Sequence, residues 1–113
     1  MGSVMQLTFL LAPVPDLATA LPFYRDTLGL DEAWREGENT VAFHLPDRKA
    51  QIMVVAGGDP AGPMYKVDSV PGFFADHPDI KVVMAPRPIP GGSVAGFHDP
   101  AGNLAYVFDQ VER

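Results

Sequence analysis

The chain has no cysteine, which excludes disulfides, thiolate metal sites and cysteine nucleophiles together. That absence is compatible with a cytoplasmic protein, the expected location. No uninterrupted apolar run is long enough to span a bilayer, so no membrane partner is expected. Residues 1–5 carry no basic segment leading into an apolar one, and a secretory signal is not expected. Gly2 raises the question of acylation, but the matching sixth position is Gln6 rather than Ser or Thr, and the pattern fails. Basic residues are few. Eight Lys and Arg stand against fourteen Asp and Glu, for a net charge of −6, and they do not cluster. That argues against a nucleic-acid partner and leans the choice of ligand toward cations. There is no Gly-x-Ser-x-Gly elbow, phosphate loop or dinucleotide fingerprint, and Gly57-Gly58 and Gly91-Gly92 read as turns.

What is present is ample apolar material, 47% of 113 residues, enough for one compact domain or two small halves sharing a core. Shifting the chain by 53 residues superposes Val14 on Val67, Val41 on Val94, Ala42 on Ala95 and Val54 on Val107. The order of elements then repeats without a gap. The expected division is a single domain over 1–113, with one module over about 4–56, a connector over 57–63 and a second module over about 64–111.

In the first half, residues 5–12 read as a buried strand, and Asp16 as the N-cap of the helix that follows. Leu17, Leu21, Tyr24 and Leu28 fall at helical spacing on one apolar face. Pro22 predicts a kink or a late start, and Gly29 a C-cap. Strands follow near 31–35, 40–45 and 50–55. In the second half the order returns: a strand near 64–68, a short helix from Ser69 through Phe74, then strands near 81–85, 93–98 and 104–109. Prolines 86, 88 and 90 predict a stiff extended loop. Asp99-Pro100-Ala101-Gly102-Asn103 reads as a tight turn between the last two strands.

The βαβββ–βαβββ order resembles that of the vicinal oxygen chelate superfamily, which includes glyoxalase I, extradiol dioxygenases and bleomycin-resistance proteins. Three stretches carry the resemblance: Val14-Pro15-Asp16-Leu17, Phe23-Tyr24-Arg25-Asp26-Thr27-Leu28-Gly29-Leu30, and the Asp99–Asn103 turn. It covers nearly the whole chain. It implies an α+β fold of two tandem βαβββ modules, forming a curved mixed sheet around a central cavity, and a homodimer.

The resemblance also implies four metal-ligand positions, which fall here on Phe9, Met53, Gly62 and Tyr106. His, Gln or Glu would be needed there for a divalent first-row cation. A phenyl ring, a glycine, a thioether and a neutral phenol make no such set, so neither a metal nor any other cofactor is expected. Of the histidines, His44 and His98 come one position apart under the 53-residue shift, which predicts opposite faces. His77 reads as part of a solvated turn.

Alternation puts Leu104, Tyr106 and Phe108 on one face of the last strand, and Leu7, Phe9 and Leu11 on one face of the first. The expected ligand-binding residues are Phe9, Leu11, Met53, Tyr106, Phe108 and Trp34, an aromatic and apolar lining with the Tyr106 hydroxyl as its polar handle. Trp34 stands either at the pocket mouth or over the sheet edge. Phe43 and Phe97 could face cavity or helix. The expected function is sequestration of a small apolar or aromatic molecule, with acidity favouring a cation, as in the bleomycin-resistance branch. The alternative is an enzyme of the superfamily, a lyase, isomerase or dioxygenase, using relocated metal ligands or metal-free acid–base chemistry.

Overall fold

The computed structural model describes residues 5–111, so Gly2 lies outside the described residues. The elements run β1 (Met5–Val14), α1 (Leu17–Pro22), β2 (Asp31–Glu36), β3 (Thr40–His44), β4 (Gln51–Ala56), β5 (Gly62–Val67), α2 (Val70–Asp76), β6 (Lys81–Ile89), β7 (Gly92–His98) and β8 (Leu104–Gln110). This is βαβββ twice, the expected α+β order. One compact unit is Thr8–Ala61; the other runs from Gly62 and includes residues 5–7. No helix among the described residues is long and apolar enough to cross a membrane.

In the first unit the strands lie in the order β2-β3-β4-β1, antiparallel except for the parallel β4–β1 pair. Asp16 caps α1: its carboxylate accepts the Ala18 N–H at 3.3 Å and the Thr19 hydroxyl at 2.7 Å. Pro22 has no N–H to continue the ladder, and the helix widens there into a π-helical turn over Phe23–Thr27. Gly29, at φ +73°, closes it, with the Leu30 N–H reaching back to the Tyr24 carbonyl at 3.1 Å. Leu17, Leu21 and Tyr24 pack on Val41, Phe43 and Val54, and Tyr24 stacks on Phe43 at 5.7 Å. Leu28 does not join them and stays 49% exposed. The widened turn breaks the 3.6-residue period that would have brought it round.

In the second unit the order is β5-β8-β7-β6, with β5 and β8 parallel. Ser69 caps α2 by accepting the Gly72 N–H at 3.0 Å. Val70 and Phe73 from the helix close on Val67, Ala95 and Val107 from the strands. The proline-rich segment is not a loop. It forms the second half of β6, which runs to Ile89 with register slips between Val82 and Met84 and between Met84 and Arg87. β6 is the outermost strand, so prolines 86 and 88 forfeit no ladder bond on its unpaired side.

The helix-packed residues correct the repeat. Val14 and Val67 face helices, as do Val54 and Val107, in keeping with a 53-residue shift. On β3 and β7, however, the helix-packed pairs are Val41 with Ala95 and Phe43 with Phe97, a shift of 54. The Ala42–Ala95 match was therefore out of phase, and one extra residue precedes β7. Phe43 and Phe97 both face helices. His44 and His98 become equivalent and take the same kind of face, away from the helix, rather than opposite ones.

Asp109 joins α2 to the strands. Its carboxylate accepts the Val70 N–H at 2.7 Å, the Ser93 N–H at 2.8 Å and the Ser93 hydroxyl at 3.1 Å. Removing it strands these partly buried donors, each costly to leave unmade. Asp109→Ala is expected to lower stability by about 2 kcal/mol or more, read from the urea midpoint, whereas Ser93→Ala costs about 1 kcal/mol.

The β7–β8 turn depends on Asp99, whose carboxylate accepts the Ala101 and Asn103 N–H groups, each at 2.9 Å, and the Asn103 side-chain amide at 2.9 Å. These bonds, the Asn103 amide first, hold Asp99 below the ordinary carboxylate range. A folded-state value depressed below the unfolded one adds stability above that range and loses it as pH falls through the lowered value. Asp99→Asn is expected to flatten the fall in Tm between about pH 5 and about pH 2 relative to the parent chain.

Candidate functional site

Side chains of paired residues share a face, so strand register locates each expected site residue. In the first unit one row across the strands is Trp34, Ala42, Met53 and Leu11; the next is Asp31, His44, Gln51 and Phe9. Both rows lie opposite the face that packs on α1. Phe9, Leu11, Trp34 and Met53, four of the six expected residues, therefore share one face. In the second unit Tyr106 pairs with Met64 and Gly96, and Phe108 with Lys66 and Val94, again opposite the helix-packed face.

Burial separates the six. Leu11 is 6% exposed, Tyr106 1% and Phe108 3%, whereas Phe9, Trp34 and Met53 are half-buried. The last three present the surface a ligand can reach.

Trp34 starts on the outer strand β2 but lies over the face rather than the edge. The small Ala42 beside it on β3 leaves room for the indole to extend across the strands. Its Nε1–H donates to Gln51 Oε1 on β4 at 3.0 Å, and its ring meets Phe9 of β1 edge-on at 5.8 Å. Edge-to-face geometry is the favoured aromatic arrangement at this separation. Gln51 was missed from the sequence. Alternation with Met53 put it on this face, but only the fold of the indole over Ala42 makes it a partner.

The second unit also holds an open cleft of about 690 Å³ at the C-terminal end of α2, walled by Asp76, His77, Lys81, Phe97, His98 and Asp99. None of the expected ligand residues lines it. His77 has a structural task there: Nδ1 donates to the Phe73 carbonyl at 2.8 Å, and the ring lies 4.6 Å from that of Phe73. Sequence reading treated His77 and His98 apart because only the packing of α2 on β7 brings their segments to one cleft.

A family model for the Glyoxalase/Bleomycin resistance protein/Dioxygenase superfamily matches residues 6–107. The chain belongs to that superfamily. No curated protein matches it. Among solved structures, methylmalonyl-CoA epimerase from Mycobacterium tuberculosis is 18% identical with a TM-score of 0.72, the match covering 95% of this chain and 89% of that one. A glyoxalase/bleomycin resistance protein/dioxygenase superfamily member from Vibrio splendidus 12B01 is 14% identical at a TM-score of 0.65, covering 97% and 100%. A variant of homoprotocatechuate 2,3-dioxygenase from B. fuscum is 21% identical at 0.64, covering 96% of this chain but 34% of its own. At such identities the likeness is one of fold, and it matches the glyoxalase-like architecture.

The superfamily's metal positions do not fit a metal in this chain. Phe9 and Met53 offer a phenyl ring and a thioether. Tyr106 is buried, its ring flanked by glycines on both neighbouring strands. A Cβ on Gly62 would stand 3.3 Å from Tyr106 Cε2, and one on Gly96 would stand 3.5 Å from Tyr106 Cδ1. Among the described residues no group of three or more His, Asp or Glu is arranged to hold a metal ion.

Gly62 is thus a packing residue. A Cβ there would also meet the Leu104 carbonyl oxygen at 2.9 Å, and that backbone cannot swing aside as a flexible side chain would. Gly62→Ala is expected to cost about 1–3 kcal/mol in urea unfolding; an unchanged midpoint would show that the ring and strand have slack.

Proposed function

We propose that this glyoxalase-superfamily protein binds a small aromatic or apolar molecule on the helix-free face of its first module, without using a metal, in a sequestering or resistance role. One observation carries the reading. Phe9, at a position where the resemblance implies a metal ligand, instead forms an edge-to-face pair with a half-buried Trp34 whose indole is pinned by Gln51. A fixed, half-buried aromatic pair is a pre-organised surface for another ring, because little side-chain freedom is lost on binding. Met53, in the row of Trp34, adds a thioether that adapts to ligand shape. The activities of the epimerase and the dioxygenase belong to those proteins. A homodimer, read by light scattering at twice the chain mass, belongs to the same proposal by resemblance.

Trp34 is the only tryptophan, so its emission reports on this face alone. Titration with bleomycin and with small neutral and cationic aromatics is expected to shift or quench that emission and to raise Tm with ligand concentration. Phe9→Ala is expected to weaken binding roughly tenfold, the scale of one aromatic contact. A panel that moves neither emission nor Tm would overturn the reading.

A further inference from the structure

The face around Trp34 carries a polarity that its apolar character hides. An indole Nε1–H can only donate, so the Gln51 atom that meets it at 3.0 Å is the carboxamide oxygen. That fixes the orientation of the amide. Its oxygen already accepts from the indole, and what Gln51 turns toward a ligand is its NH₂, a pair of donors. Gln51 sits in one row with Phe9 and His44, directly beside the row of Trp34 and Met53.

The carboxylates on this face belong to its outer strand. Asp31, at the end of the Gln51 row, is held by Arg48 at 2.6 Å. Glu36 pairs with Thr40, in the row on the other side of Trp34 from Gln51. Thus neither carboxylate is set beside the Gln51 amide uncompensated: Asp31 carries Arg48, and Glu36 lies a row away on the far side of Trp34.

We infer that the first-module face selects a planar aromatic molecule bearing a hydrogen-bond acceptor, such as an aryl ketone, which accepts from the Gln51 NH₂ while its ring lies against Trp34 and Phe9. This rests on the proposed reading of that face as a ligand site. At Gln51 it opposes the cationic preference suggested by net charge, since an aryl ammonium brings only donors to a donor. Gln51 is then the residue that sets specificity, and it does so through the partner it already has. The indole occupies the oxygen that the amide would otherwise turn toward a cation.

Acetophenone and benzylammonium make a matched pair of probes, alike in ring and size and opposite in hydrogen-bonding sense. Their affinities can be measured by ligand-observed NMR, with Trp34 emission as the local readout. The parent chain is expected to prefer acetophenone by roughly three- to tenfold, the worth of one net hydrogen bond. Gln51→Glu keeps an oxygen for the indole and replaces the NH₂ by a second oxygen, so the order is expected to reverse toward benzylammonium. Unchanged urea midpoints and emission maximum show that the variant keeps its fold. If both probes bind and Gln51→Glu leaves their order unchanged, the inference is overturned while the binding face stands. If neither probe touches Trp34, the binding face falls with it.

Discussion

Side chains alternate across a strand, and each module has a single short helix to cover its strands. One face is therefore packed by the module's own helix and the other is not. Val41, Phe43 and Val54 in the first unit, and Ala95, Phe97 and Val107 in the second, take the helix-packed side. Everything with chemical interest takes the other side by default: Phe9, Trp34, Gln51 and Met53 in one unit, Tyr106 and Phe108 in the other. The candidate site is thus a consequence of which residues the helices leave uncovered. Local caps start the helices, Asp16 for α1 and Ser69 for α2, and Asp109 of β8 ties the start of α2 to the strands.

Much of this was legible from local chemistry. Asp16 and Ser69 are N-caps whose side chains bond N–H groups two or three residues on, and such signals do not need the rest of the fold. The same holds for Gly29 as a helix stop and for the Asp99 turn. Alternation assigned Phe9, Leu11, Tyr106 and Phe108 to their faces, and the internal repeat carried Tyr106 to Met53. What alternation cannot supply is depth. Tyr106 and Phe108 were expected to line a cavity, yet both are almost fully buried. Burial depends on what neighbouring strands place beside a ring, and for Tyr106 those neighbours are glycines.

The misread elements share one cause, which is that a long-range partner overrode a local preference. Prolines argue against a strand only where both edges must donate. β6 has one free edge, so its proline-rich half could remain in the sheet. The repeat was counted at 53 residues from coincident small apolar residues, and Ala42 and Ala95 are alike in size but opposite in facing. Only the helix contacts distinguish them. Leu28 fell off its apolar stripe because Pro22 changed the helical period upstream of it.

The four substituted metal positions are better understood as two different adaptations than as one loss. In the second unit the phenol ring of Tyr106 and the bare backbone of Gly62 fit each other, since a side chain at 62 would meet both that ring and the Leu104 carbonyl. Returning a ligand side chain at 62 alone would collide with the Tyr106 ring, and a smaller His or Glu at 106 alone would leave a void beside Gly62, so the two are matched in size and belong to the packing. In the first unit Phe9 and Met53 stay half-buried and lie with Trp34. The ring at position 9 keeps accessible surface that the Tyr106 ring lacks, and that difference in exposure directs the search for a ligand to the first module.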